Sequence, residues 1–159
     1  MKTAAVYCSR FGHNTRIAEA TAGVLGATVH RIETPTQPGF PKMGSCSFLN
    51  IRMKIKPLDL DLSGCDLIVL HAPIWAWKPA PPARTFLREA KLDGKRLAVC
   101  FSTAGGPTQR AQEKVRQLLA GRDIELVAFG EISTDEKTVS EDAMLKEARL
   151  FAERLREST

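Results

Sequence analysis

Hydrophobic positions along this chain switch between two periods. Short apolar runs read as strands at 4–8, 28–32, 66–71, 96–102 and 124–132. Between most of them, apolar residues recur at helical spacing. One such face carries Ile17, Ala18, Thr21, Ala22 and Leu25 over 14–25. Pro81 and Pro82 open a second helix with Phe86, Leu87 and Ala90, since proline suits a first helical turn. Thr108 leads into Ala111, Val115, Leu118 and Leu119, and Gly121 stops that helix. The last helix opens on a capping box, Thr138 with Glu141, and continues as Leu145, Ala148, Phe151, Ala152 and Leu155.

Strands alternating with helices argue for an α/β fold with a parallel sheet covered on both faces. The runs Leu67–Leu70 and Leu97–Phe101 are continuously apolar, as strands buried on both sides must be. The second strand holds His30 and Arg31 and suits an exposed edge. The expected architecture is a doubly wound five-stranded sheet of order 2-1-3-4-5, which places a ligand at the carboxyl ends of strands one and three. The length of 159 residues fits a single domain spanning 1–159. The stretch from Glu33 to Gly64 is the least periodic. Pro35, Pro38, Gly39 and Pro41 mark a loop. A short helix is expected over 47–55, with Phe48, Ile51 and Ile55 on one face. Lys42, Arg52, Lys54 and Lys56 read there as solvated lysines and arginines on a crossover, in preference to a partner-docking element.

In a parallel sheet the loops after successive strands leave by one edge. The first is Ser9-Arg10-Phe11-Gly12-His13-Asn14-Thr15, small and rich in donors, and it runs straight into a helix. Free N–H groups and the helix dipole make such a turn an anion cradle. The second is Ala72-Pro73-Ile74-Trp75-Ala76-Trp77-Lys78-Pro79, with two indoles. The third is Ser102-Thr103-Ala104-Gly105-Gly106-Pro107, whose glycines let a ligand approach the backbone. A phosphorylated, flat, aromatic ligand uses all three, and flavin mononucleotide (FMN) answers that description.

Other chemistry finds little support. Cys8, Cys46, Cys65 and Cys100 have no C-x-x-C spacing and no nearby histidine cluster, so no metal centre is expected. Cys8 and Cys100 read as small buried hydrophobes in strands. No Ser/His/Asp arrangement stands ready as a nucleophile, so no catalytic residue is assigned. A G-x-G-x-x-G fingerprint is absent, which leaves a nicotinamide only a transient place over the flavin. The net charge is +5, but aromatic content is 6% and no basic run interleaves with aromatics, which argues against nucleic acid. No run approaches the roughly 20 apolar residues of a membrane span, and the N-terminal apolar core is too short for a signal peptide. A cytoplasmic location is expected.

The motifs S-R-F-G-H-N-T, A-P-I-W-A-W-K-P-A-P-P-A-R-T-F-L and F-S-T-A-G-G together resemble the flavodoxin family, in its short flavodoxin-like and quinone-reductase-like branch. The resemblance spans nearly the whole chain. It implies non-covalent FMN, with the phosphate on Ser9, Phe11, Gly12, His13, Asn14 and Thr15, and Arg10 near enough to counter its charge. It implies isoalloxazine contacts from Pro73, Ile74, Trp75, Ala76 and Trp77, with Ser102, Thr103, Ala104, Gly105 and Gly106 closing the far side. The chain departs from the pattern at Trp77, where relatives carry a small residue, and at His71, a bulky group at the end of strand three. His71 is expected to be a strand-end residue. Of the two tryptophans, one is expected beside the ring and one in packing.

Two roles follow from the resemblance. One is an electron carrier serving a redox partner protein. The other is an FMN-dependent oxidoreductase passing hydride from NAD(P)H to a quinone-type acceptor. A homodimer is compatible with both. The alternative is a fold of this type that has lost its flavin and serves as an interaction module, with Trp77 filling the ring site. Carriers often present an acidic docking face, which a net charge of +5 fits poorly.

Overall fold

The five apolar runs pair into one parallel sheet in the computed structural model, which describes residues 1–36, 39, 41, 45–46, 48–57 and 61–158. Numbered in chain order, the strands are β1 (Thr3–Tyr7), β2 (Thr28–Arg31), β3 (Leu67–Trp75), β4 (Lys78–Pro79), β5 (Lys95–Thr103) and β6 (Ile124–Ser133). Among the described residues the longer helices are α1 (His13–Leu25), α2 (Pro81–Glu89), α3 (Gln109–Leu119) and α4 (Glu141–Glu157). The order is β2-β1-β3-β5-β6, which in terms of the five anticipated strands is 2-1-3-4-5. The two-residue β4 is an addition, pairing antiparallel with the end of β3. The order reverses between β1 and β3, so a crevice opens at their carboxyl ends.

Strand alternation sorts the core onto two faces. Ile68 and Leu70 pack with Phe86 and Leu87 of α2 and Val115 of α3. Leu67 and Val69 turn the other way, to Ile17 of α1 and Met144 and Phe151 of α4. Each such side chain contributes about 1.5–3 kcal/mol by leaving water. The edge strand β2 stays largely exposed, as its polar residues require.

Four expectations change. First, β3 does not stop at His71 but runs on to Trp75, so Pro73, Ile74 and Trp75 are strand residues. Pro73 reads locally as a terminator. However, it pairs with Ser102 of β5, and its carbonyl accepts from Ala80 N at 2.9 Å. Second, His71 therefore lies inside the strand, fully buried between Tyr7 and Cys100. Third, α4 is capped by Ser140, whose Oγ accepts from Ala143 N at 3.2 Å. Thr138 is drawn off into a turn with Asp135, and Val139, just before the cap, packs against the core cluster that includes Met144. Fourth, the chain from 51 to 57 is irregular rather than helical; residue 47, where that helix was to begin, lies outside the described residues. That stretch is held from outside, by Thr85 Oγ1 donating to Met53 O at 2.6 Å and Lys56 N to Glu33 O at 2.7 Å.

Candidate functional site

The first loop closes on itself before α1 begins. Ser9 Oγ accepts from Gly12 N at 3.0 Å, and Gly12 takes φ 88°, a left-handed conformation that glycine adopts without strain. Gly12 occupies the N-cap position, and no side chain caps the helix. The first-turn N–H groups of His13, Asn14 and Thr15 thus sit at the positive end of the helix, and none of the first-turn residues is itself acidic. A Cβ placed on Gly12 meets nothing within 4 Å, so the space beside that glycine is clear.

Asn14 joins this loop to the third. It is buried, its Nδ2 donates to Ser102 Oγ at 2.8 Å, and its Oδ1 is buried with no hydrogen-bond partner. The imidazole of His13 meets Glu136, which follows β6, at 3.0 Å. The guanidinium of Arg10 lies 5.9 Å from the ring of exposed Phe11. Arg31 Nη2 donates to Ser9 O at 3.3 Å and braces the loop from β2.

The second loop is a hairpin turn. Trp75 pairs with Lys78, leaving Ala76 and Trp77 as the two central residues, at φ 48° and 60°. Two successive positive φ values define a type I′ turn, which normally demands Asn or Gly. Ala76 and Trp77 therefore hold a conformation costing about 1–2 kcal/mol each. Trp75 is half-buried against the α2–α3 core. Trp77 stands 53% exposed at the tip, with the Arg110 guanidinium 5.8 Å from its ring. It plugs no cavity.

The third loop turns inward on its own hydroxyl. Thr103 Oγ1 accepts from Gly105 N at 3.2 Å and Gly106 N at 3.1 Å, with Gly105 at φ 102°. Ala104, Gly105 and Gly106 face solvent, while Ser102 is buried.

A cleft of about 330 Å³ opens beside the first loop, on its β2 side. Ser9 and Arg10 line it from the first loop, and Pro73 and Trp75 from the second. Thr103 to Gly106 do not contribute to it. Arg31, Glu33, Met53 and Lys56 do, and none of them was singled out from sequence as a site residue. Arg31 ends β2 and Glu33 follows it, at the same sheet edge as the other loops, a signal legible in the sequence. Met53 and Lys56 come from an aperiodic stretch that carried none. Lys56 Nζ donates to Glu33 Oε2 at 2.8 Å, and that contact holds the exposed Glu33 carboxyl below its usual range.

The buried ionisable groups nearby are inert. Burial pushes the Cys8 thiol up to about 12, so it is no nucleophile at neutral pH. All four cysteines are free and buried. Burial likewise drives the His71 imidazole down to about 3, and both of its ring nitrogens lack a hydrogen-bond partner.

No protein-family model matches the chain, and no curated protein sequence matches it. Solved structures do. The flavoprotein of Lactobacillus acidophilus NCFM, in complex with FMN, aligns with a TM-score of 0.71 at 19% identity over 82% of this chain and 92% of that one. The WrbA-like flavodoxin of Agrobacterium tumefaciens aligns at 0.67 and 20% identity, covering 99% and 96%. Flavodoxin 2 of Bacillus cereus, oxidised, aligns at 0.63 and 20% identity over the full length of both chains, 100% and 100%.

Proposed function

We propose that this chain, which has the flavodoxin-like fold, binds FMN at the carboxyl ends of β1 and β3 and serves as a redox protein. The observation that carries the reading is the uncapped start of α1, with clear space beside Gly12 and no acidic residue in the first turn. The residues present fit the group. Backbone N–H groups of His13, Asn14 and Thr15, with the hydroxyls of Ser9 and Thr15, suit a phosphate. The orphaned Oδ1 of Asn14 is an acceptor awaiting a donor. Pro73 and Trp75, two residues apart on one face of the strand, line the cleft with a rigid apolar wall, which suits a flat ring. FMN, when bound, supplies the electron or hydride chemistry. The protein's part is to hold and orient it. The Ser9–Gly12 and Asn14–Ser102 bonds fix the phosphate cradle against the sheet. The β3–β4 hairpin sets the position of Trp75.

The test is FMN fluorescence quenching. The double variant Gly12→Val, Thr15→Ala is expected to weaken FMN binding about tenfold or more, because a β-branched residue resists positive φ and a hydroxyl donor is lost. Unchanged affinity in a variant that still unfolds cooperatively would remove the first loop as the phosphate site.

An enzymatic form of the same reading draws on the cleft. Arg10, Arg31 and Lys56 bring three cations to its wall beside Trp75, a setting suited to an anionic nicotinamide donor. Steady-state oxidation of NADPH with a benzoquinone separates the roles: turnover by the FMN-loaded protein marks an oxidoreductase, and its absence marks a carrier.

A further inference from the structure

The face beside the second loop combines exposed apolar side chains with cations. No Asp or Glu occurs between Thr34 and Leu58, or between Leu67 and Arg88. Among the described residues those stretches carry Arg52, Lys54, Lys56, Lys78, Arg84 and Arg88, more positive charge than the whole chain's net +5. Phe48, Leu49, Ile51 and Trp77 are among the large hydrophobic side chains left exposed. The fold gathers these elements. Lys78 Nζ donates to Phe48 O at 3.2 Å, and buried Arg84 donates to Cys46 O at 3.0 Å and to Asn50 Oδ1. β4 packs against α3, where Arg110 covers Trp77 and Lys114 follows one turn later on the same side. The Lys114 ammonium is held below its usual range, by burial first and then by Arg88, Arg84 and Lys78, so these cations share one region. Among the described residues, Arg88, Arg110 and Lys114 form no ion pair.

We propose that this face, from Phe48 through Trp77 to Lys114, docks an acidic protein that exchanges electrons with the flavin. The inference rests on the FMN reading above, since it sets the partner over the second loop. An apolar centre with a charged rim is the anatomy of a protein interface. A rim of one sign selects a partner of the other and steers its approach. Nucleic acid fits less well. Leu49 and Ile51 offer nothing to phosphates, and Arg110 already lies over a face of Trp77 where a base would stack. Solvated cations alone leave four exposed apolar side chains unexplained.

The probe is a plant-type ferredoxin, an acidic one-electron carrier, titrated into the ¹⁵N-labelled protein with and without FMN. The expected result is amide shift changes confined to residues 48–52, 77–78 and 110–114, with affinity falling about tenfold or more from low to high salt. The variant Arg110→Glu, Lys114→Glu is expected to lose about tenfold or more in ferredoxin affinity at low salt. It should bind FMN as the parent does, and Arg110→Lys, Lys114→Arg should restore docking. Ferredoxin that perturbs none of this face overturns the proposal. So does single-stranded oligo(dT), or vesicles containing phosphatidylserine, binding the face more tightly than ferredoxin. FMN quenching on the same samples is read separately: docking without FMN binding overturns the flavin reading, and FMN binding without docking overturns this one.

Discussion

His71 and Gly130 show how much a single position is asked to bear. His71 sits fully buried in β3 with both ring nitrogens unpaired, and its folded-state pKa is near 3. In the unfolded chain it returns to about 6.5. The unfolded state therefore binds the extra proton between those values. Stability is fully present above about pH 6.5 and falls as pH drops toward 3, at up to about 1.4 kcal/mol per unit. Urea unfolding at pH 5 and at pH 7 should show that loss in the parent and much less of it in His71→Leu; equal losses in both would discard the argument. Gly130 on β6 faces α4 so closely that an added Cβ would stand 2.6 Å from the Phe151 ring. Gly130→Ala is expected to lose about 1–3 kcal/mol in urea unfolding, since a buried ring must shift to admit one carbon. Both side-chain environments escape a sequence reading. The apolar run around His71 shows that it is interior only if the strand continues through Pro73, and nothing local says that a phenylalanine lies opposite Gly130.

At the scale of elements, the β3–β4 hairpin is the unusual one. Its I′ turn is built from Ala76 and Trp77, neither of which favours positive φ. Pairing on both sides imposes the conformation: Ile74 with Pro79, and Trp75 with Lys78. Ala76→Asn should therefore stabilise the protein by about 0.5–1 kcal/mol in thermal unfolding, because asparagine accepts the left-handed region more readily. No gain would indicate that the turn relaxes in solution. The helices were legible because each carries its own signals. Pro81 and Pro82 open α2, Gly26 and Gly121 sit just past helix ends, and the buried face of α4 follows its 3.6-residue period. Their caps were less so. Thr138 and Ser140 both offer an N-cap hydroxyl, and the choice fell to Ser140 because Asp135 engages Thr138. The stretch from 51 to 57 has no period of its own, being positioned by Thr85 and Glu33 from other elements.

For the molecule as a whole, the sheet edge is where folding and the proposed FMN site meet. If FMN binds the folded protein and not the unfolded chain, FMN at about a hundred times its Kd adds about 2.7 kcal/mol of stability. That corresponds to a rise of about 5–10 °C in Tm for a chain of this size. A Tm unchanged by saturating FMN would contradict the proposed cofactor. Among the described residues no helix is long and apolar enough to cross a membrane.

The strands and helices themselves, and the turn that opens the first helix, follow from local pattern. Buried parallel strands must be continuously apolar, and a helix start needs a turn that glycine can make. The turn from Ser9 to Gly12 that opens α1 could be read for that reason. Which walls that loop shares was a tertiary decision. The cleft borders Ser9, Arg10, Pro73 and Trp75 but reaches Arg31, Glu33, Met53 and Lys56 in place of the third loop. Asn14 ties Ser102 to the cradle, while Thr103 folds Gly105 and Gly106 onto itself. Periodicity reports which side of an element is buried. It carries no information on which distant segment fills the space opposite, because that depends on packing between residues far apart in the chain.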